Sequence, residues 1–323
     1  MVVKKTSALG SGLRTFIGLT LLTAGFLGTL ATILGFFGST AWFFDVLANF
    51  RFQLAVGLIA VGVIYFFGFG RWTAFVFIAL GVVNAFLVAP LYLENPAPPA
   101  SEATLKIVSF NVGAGAADQQ EVIDYVAARD PDLVFFLEST EEWVNAMPTA
   151  GTGYAIGNEI PEERTYGISV LGDGVTVVQQ LRLGTTRDPV LRVQATLEDQ
   201  QVAVYAVHPR PPDSEGTTEA RDTLFEELAE LVAQESMPVV VIGDFNATPW
   251  SYSFRDFTSA TGLVNSQNGY GLASTWPSSL PVTLIPLDHM LHSDSLTTVT
   301  RRVGPDLGSD HLPLLVEVSR AAR

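Results

Sequence analysis

The distribution of apolar and polar positions divides the chain into two unlike parts. No charged residue occurs between Arg14 and Asp45, over residues 52–70 or over 72–93, and all three stretches are rich in Leu, Val, Ile and Phe. Each is long enough to cross the ~30 Å hydrocarbon core of a bilayer as a helix, which satisfies its own backbone polar groups there. The pattern predicts a membrane anchor of three transmembrane helices over residues 1–93. A cleaved signal peptide would account for the first stretch alone, but its apolar run exceeds a usual h-region and two more follow it. Glycines within the stretches suit close helix packing.

Residues 94–103 contain Pro96, Pro98 and Pro99 and read as a short extended linker. From residue 104 to 323, brief apolar runs bounded by turn residues replace the long ones. Strands are predicted at 105–110, 133–137, 167–171, 175–183, 191–197, 202–207, 239–242, 289–292, 297–303 and 314–318. Helices are predicted at 119–129, at 217–234 where Leu224, Phe225, Leu228, Leu231 and Val232 recur at helical spacing, and near 252–260. Helices are too sparse for one per strand. An α/β sandwich of two packed sheets flanked by helices therefore fits better than a doubly wound parallel sheet.

Charge sharpens the division. Residues 1–95 carry Lys4, Lys5, Arg14, Arg51 and Arg71 against Asp45 and Glu94, a net of +3, which leaves 13 basic and 31 acidic residues, a net of −18, for the remainder. Lys4, Lys5, Arg14 and Arg71 fall on one side of the predicted bundle, and only Arg51, offset by Asp45, on the other. The positive-inside rule then places the N-terminus in the cytoplasm and, after three crossings, residues 94–323 outside it. The absence of cysteine is compatible with export and excludes thiolate chemistry.

Five places end a strand with a residue that can do chemistry. Asn111 follows the first apolar run, and Glu138 caps Leu133-Val-Phe-Phe-Leu137, where a carboxylate can hold a hard cation. His208 and Arg210 follow the run ending at Val207. In Gly243-Asp-Phe-Asn246, Gly243 lets the backbone turn, so that Asp244 can move a proton and Asn246 can donate to a water or to developing negative charge. The last is a pair of segments, Pro286-Leu-Asp-His-Met290 and Gly308-Ser-Asp-His-Leu312, each joining an acid to a histidine. Taken singly, each also reads as a turn or a solvated strand end. Of the four histidines, 208, 289, 292 and 311, only His292 falls outside these segments. Adjacency alone does not decide whether Asp288 or Asp310 partners a histidine. Asn246-Ala-Thr248 also matches a glycosylation sequon, for which an active-site turn is the better account.

Asn111, Glu138, His208, Asp244 with Asn246, Asp288 with His289, and Ser309-Asp310-His311 follow one another in the order of the motifs of the endonuclease/exonuclease/phosphatase superfamily, which the chain resembles across residues 104–323. The resemblance implies a four-layered αββα sandwich and a Mg²⁺-dependent phosphoesterase, with Mn²⁺ as the alternative metal. It implies metal binding by Glu138, Asn111 and Asp310, with Asp310 acting directly or through water. It gives Asp244 a role in moving a proton of water or leaving group, and Asn246 and His208 a role in binding phosphoryl oxygens. His311, oriented by Asp288, would contact the phosphate or act as base. Arg210 and His289 are candidate substrate contacts. DNA-repair members carry a Tyr and an Asn where this chain has His208 followed by Pro209-Arg210-Pro211-Pro212, so Arg210 stands as a substitute phosphate clamp.

The layout is similar to membrane-anchored extracytoplasmic members of the superfamily, some associated with glycopeptide-antibiotic resistance. With Lys106 as the one lysine after residue 95, the acidic domain does not favour a nucleic-acid groove. The expected partner is the bilayer, and the expected substrate a membrane lipid phosphate or lipid-linked (pyro)phosphate. The alternatives are an extracytoplasmic nuclease and a silent binding module, the latter disfavoured because every motif position is present. Trp250 and Trp276 are candidates for apolar contact beside the site.

Overall fold

The computed structural model describes residues 3–141, 143, 157–159, 166–172, 176–280 and 284–322. They group into two compact units, Met1–Pro90 with Trp250–Tyr252, and Leu91–Pro249 with Ser253–Arg323.

The first unit contains α1 (Val3–Leu34), α2 (Trp42–Ala48), α3 (Arg51–Gly68) and α4 (Arg71–Val88). Gly12–Phe37, Arg51–Gly68 and Arg71–Val88 are long and apolar enough to cross a membrane. Phe67 and Trp72 are each 84% exposed and Phe86 78%, the inverse of a water-soluble surface and suited to lipid. Gly62 and Gly81 let α3 and α4 approach closely, since a Cβ on either would come within 2.6 Å of Ile78 or Ile59 respectively. Polar bonds fasten the helices from within. Asn84 Nδ2 donates to Thr32 Oγ1 at 2.8 Å, and Arg51 Nη1 donates to the Thr32 carbonyl at 2.9 Å and to Asn84 Oδ1 at 3.1 Å. The third span ends at Val88, short of the predicted residue 93. Pro90 has no N–H to continue the helix, and Pro90–Leu93 forms a separate short α5.

The second unit holds two six-stranded sheets. The strands are β1 (Leu105–Asn111), β2 (Leu133–Leu137), β3 (Gly157–Glu159), β4 (Ile168–Gly172), β5 (Thr176–Leu183), β6 (Asp188–Leu197), β7 (Gln200–Val207), β8 (Val239–Asp244), β9 (Val264–Asn265), β10 (Asp288–His292), β11 (Leu296–Val303) and β12 (Leu314–Arg320). Their order is β11-β12-β1-β2-β4-β3 in the first sheet and β5-β6-β7-β8-β10-β9 in the second. The predicted beginning of β5 at Val175 lies outside the described residues.

β2 and residues Val239–Ile242 of β8 are apolar at every position because both faces are covered. Inward side chains, among them Ile107, Leu133, Phe135, Val204, Ile242 and Val316, fill the space between the sheets. The outer face of the first sheet packs Val134 and Phe136 against Val122 and Tyr125 of α6 (Gln119–Arg129). That of the second packs Tyr205 and Val241 against Leu224, Phe225 and Leu228 of α7 (Glu215–Gln234) and Phe254 and Phe257 of α8 (Tyr252–Thr261). The layers run helix, sheet, sheet, helix, as the strand-heavy pattern predicts. The starts of α6 and α7 are capped: Asp118 accepts from Glu121 N–H at 3.0 Å, and Ser214 forms a capping box with Thr217.

The Pro-rich segment is not a free tether. Pro99 bridges Ala321, Ala100 N–H donates to the Arg320 carbonyl at 2.7 Å, and Ala322 N–H donates to the Pro98 carbonyl at 2.8 Å. Thr297 Oγ1 donates to the Ala97 carbonyl at 2.6 Å, and Asn268 Nδ2 donates to Glu94. Its composition favours extension, as expected, and that extended backbone is taken up by the end of β12 as a partner.

Candidate active site

Two parallel pairs place the chemistry. β1 and β2 pair in parallel through the α6 crossover, and β7 and β8 through α7. Residues at the C-terminal ends of parallel strands gather at one rim of a sheet. That rim receives Asn111 and Glu138 from one sheet and His208 and Asp244 from the other. Asp288 comes to it because β10 runs antiparallel to β8 with Asp288 opposite Asp244. The turn before β12 adds Ser309, Asp310 and His311, and Ser309 Oγ holds that turn by donating to the Asn111 carbonyl at 2.7 Å.

Local backbone does the aiming. Gly243 has φ +145°, and a Cβ there would lie 2.0 Å from the Val207 carbonyl oxygen, so only glycine allows the bend before Asp244. Glu138 at φ 56° and Asn246 at φ 48° adopt the left-handed region. Such conformations cost on the order of 1–3 kcal/mol outside glycine and collect at functional sites.

Asp244 is the hub. Its Oδ1 accepts from Asn246 N–H at 2.8 Å, and its Oδ2 accepts from Asn111 Nδ2 at 3.3 Å. His208 Nε2 at 3.6 Å and His311 Nε2 at 3.5 Å converge on the same Oδ2. Burial pushes the Asp244 carboxyl up, and the two histidines partly oppose this. His311 Nδ1 lies 2.8 Å from Asp288 Oδ2. Burial works against its charge, yet Asp288, Asp244 and Asp310 together raise it to about 10, so it is an imidazolium at neutral pH. His208 goes the other way, since burial outweighs its acidic neighbours and lowers it.

Asp244, Asp288 and His311 bring potential ligand atoms within 4.8 Å of one another. A metal does not fit there, because His311 stands between the two carboxylates as their cation. The Glu138 side fits better. Burial raises its carboxyl, Asp310 adds like charge, and Asn111 Nδ2 donates to Oε1 at 3.0 Å. Glu138 at the rim, with exposed Asp310 near enough to add like charge, supplies the carboxylate oxygens that would hold a hard divalent cation. Asn111 Oδ1 accepts from Gly113 N–H at 3.0 Å, while its Nδ2 reaches Glu138 and Asp244, so its amide orients both carboxylates.

The structure separates two predicted residues from this group. His289 faces the outer layer, where Nε2 lies 2.9 Å from the Ala247 carbonyl and the ring meets Phe245 and Phe254. Burial and Arg301 lower it to about 3, which makes it a neutral packing histidine and not a substrate contact. Arg210 donates from Nε to the buried Asp188 at 2.9 Å and lies 3.8 Å above the Tyr166 ring, whose centroid is 5.4 Å from that of His208. It builds the wall behind His208. Asn246 Nδ2 donates to the Pro209 carbonyl at 3.0 Å. His292 bonds to the Ser293 carbonyl and Thr298, the structural reading its position suggests.

Tyr166 and Asp188 carry no signal in the sequence, as neither belongs to a motif: Tyr166 precedes β4 and Asp188 opens β6. Trp276 was legible only as a nearby aromatic. Its Nε1 donates to Asp310 Oδ2 at 3.0 Å, and its half-exposed ring stands 6.4 Å from His311. Trp250 is buried.

A sequence profile of the Endonuclease/Exonuclease/phosphatase family matches residues 108–311. No curated protein matches the sequence. Among solved structures, the chain is similar to D. rerio TDP2 complexed with single strand DNA product, at 15% identity and TM-score 0.57 over 68% of this chain and 100% of that one. It is also similar to the mannosyl-6-phosphatase Bt3783 of Bacteroides thetaiotaomicron, at 16% identity and TM-score 0.51 over 66% and 99%. The human Nocturnin catalytic domain with bound sulfate anion matches at 17% identity and TM-score 0.51 over 68% and 95%.

Proposed function

Because this chain belongs to the Endonuclease/Exonuclease/phosphatase family, we propose that it is a divalent-metal-dependent phosphoesterase that hydrolyses a membrane lipid phosphate or lipid-linked (pyro)phosphate outside the cytoplasm. The observation that carries the chemistry is the convergence of Asn111, His208 and His311 on Asp244 Oδ2 beside Glu138, which Asn111 also holds. What supports the lipid is composition: a net −18 after residue 95, with one lysine, following three apolar spans.

Glu138 and Asp310 would hold the cation, Mg²⁺ first and Mn²⁺ second, and Asn111 would orient Glu138. The bound ion supplies charge neutralisation on the phosphoryl oxygens. Asp244, its carboxyl raised by burial, takes or returns the proton of the water or leaving oxygen. His311, held charged by Asp288, stabilises negative charge and does not act as base. Asn246 and neutral His208 complete the phosphoryl cradle. Trp276 stands at the open side, where the apolar part of a substrate would lie.

A nuclease is the second reading, favoured by the similarity to TDP2, which was crystallised with a DNA product. Full-length protein in detergent, assayed side by side on lipid phosphates, undecaprenyl-type pyrophosphates, sphingomyelin, nucleotides and plasmid DNA, distinguishes the two. We expect phosphate or head-group release from lipid at a rate at least ~10-fold above plasmid cleavage at physiological salt, where an acidic surface repels DNA. Efficient DNA cleavage without lipid turnover sinks the lipid reading.

The loop charges carry a separate expectation. Alkaline phosphatase fused after Glu94, in place of the rest of the chain, is active, and a cytoplasmic reporter there is silent. The reverse pattern refutes an extracytoplasmic domain.

A further inference from the structure

Arg301 is a buried cation that takes no part in the site as described. It sits on β11 of the first sheet, 7% exposed, and its side chain crosses to the second. Nη1 donates to Ser266 Oγ at 2.7 Å and Nη2 to the backbone carbonyl of Asp288 at 3.0 Å. Both acceptors are neutral oxygens, and burial lowers the guanidinium to about 9. An aliphatic side chain would fill the same space without that desolvation.

The place where it lands explains the choice. β9 pairs with β10 at Leu291 and His292, so among the described residues no strand pairs with the β9-side edge of β10 beside Asp288. Ser266 N–H still reaches the Met290 carbonyl at 3.0 Å, and there the strand pairing stops. Beyond it, Asp288 N–H donates to Thr275 Oγ1 at 3.2 Å, and the Asp288 carbonyl accepts from Arg301. Thr275 and Arg301 together replace the missing strand at the residue whose carboxylate holds His311. Without Arg301 that carbonyl loses its donor, and the strand end carrying Asp288 is free to shift.

We propose that Arg301 is a positioning residue for the Asp288–His311 pair, pinning the Asp288 backbone across the two sheets so that its carboxylate stays on His311 Nδ1. The proposal rests on the phosphoesterase reading for its kinetic consequence but not for its geometry. A shift of an ångström or less in Asp288 would tilt the imidazolium away from the phosphoryl group, which costs turnover more than binding.

The test uses the full chain in detergent micelles with Mg²⁺ and bis(p-nitrophenyl) phosphate, together with ¹⁵N-histidine labelling. Arg301→Met should lower kcat by ~10-fold or more with KM changed less than about twofold, the pattern of a lost transition-state interaction. Arg301→Lys should restore part of the loss. In an Asp288→Asn background, Arg301→Met should cost less than about twofold further, since residues acting through one another are not additive. The His311 Nδ1–H resonance, identified by its loss in His311→Ala, should broaden in Arg301→Met and sharpen again in Arg301→Lys. Unchanged kcat and resonance with only a lower Tm, or additivity with Asp288→Asn, overturns the proposal. If the methionine variant does not fold, a folded Arg301→Gln with kcat within about twofold of wild type overturns it equally. If the wild type hydrolyses no phosphoester, the function proposed above fails, and the His311 resonance alone decides the role of Arg301.

Discussion

Asp244→Asn removes phosphoester hydrolysis, lowering kcat on the order of 10³-fold, within the range general acid–base groups contribute, while the fold remains. The side chains are nearly the same size, and Asp244 is 1% exposed, so packing is kept. What changes is the electrostatics of a closed cluster. Asn111, His208 and His311 all direct nitrogen at Oδ2, and an amide can neither shuttle the proton nor hold the second side of the imidazolium. His311 then keeps only Asp288 as a close carboxylate partner, and its pKa falls from about 10. Steady-state turnover on the best phosphoester from the panel, with circular dichroism and Tm as controls, measures this. A folded Asp244→Asn with wild-type kcat removes Asp244 from the chemistry.

Glu138→Gln separates metal binding from folding. The carboxylate is raised by burial and by Asp310, so in the absence of a cation its ionised form is an unfavourable element of the folded protein. The neutral amide relieves that, and the metal-free variant should be at least as stable as the metal-free wild type. Adding Mg²⁺ should raise the wild-type Tm, because a ligand bound only by the native state stabilises it by mass action, and leave the variant unmoved. Turnover should drop about 100-fold or more, the upper range for groups around metal sites, and the Mg²⁺ needed for half-maximal rate should rise. Full activity of the wild type in excess EDTA, or an equal Mg²⁺ response of both proteins, sinks the assignment.

The fold was legible because the apolar runs declare their surroundings. Five consecutive buried residues in β2 required cover on both faces, and α7 announced its apolar stripe. The rim was legible wherever a motif residue ended a strand. His289 shows the limit of adjacency. Along β10, Met290 packs between the sheets and Leu291 in the outer layer, so alternation sends Asp288 inward and His289 outward. The sequence contains that alternation, but neighbouring letters alone do not fix which parity faces the site. Arg301, Tyr166 and Asp188 were out of reach for another reason. Tyr166 before β4, Asp188 on β6 and Arg301 on β11 are remote from the motifs in sequence, and only sheet topology brings them near the site. The extension of the linker was legible in its prolines, but its pairing was not, because the partners are residues some two hundred positions later.

The docked segment also changes where a protease or a molecular biologist should cut. Prolines and small residues at 95–101 advertise a hinge, yet the carbonyls of Ala97 and Pro98 accept from Thr297 and Ala322, and the Ala100 N–H donates to Arg320. Limited proteolysis of the folded protein should therefore spare this segment. A fragment beginning at residue 102 would leave the end of β12 paired with β11 alone and open on its other side, the kind of edge that invites aggregation. The anchor-free form that keeps this pairing should begin at Leu91, whose carbonyl already accepts the N–H of Gly271 at 2.6 Å.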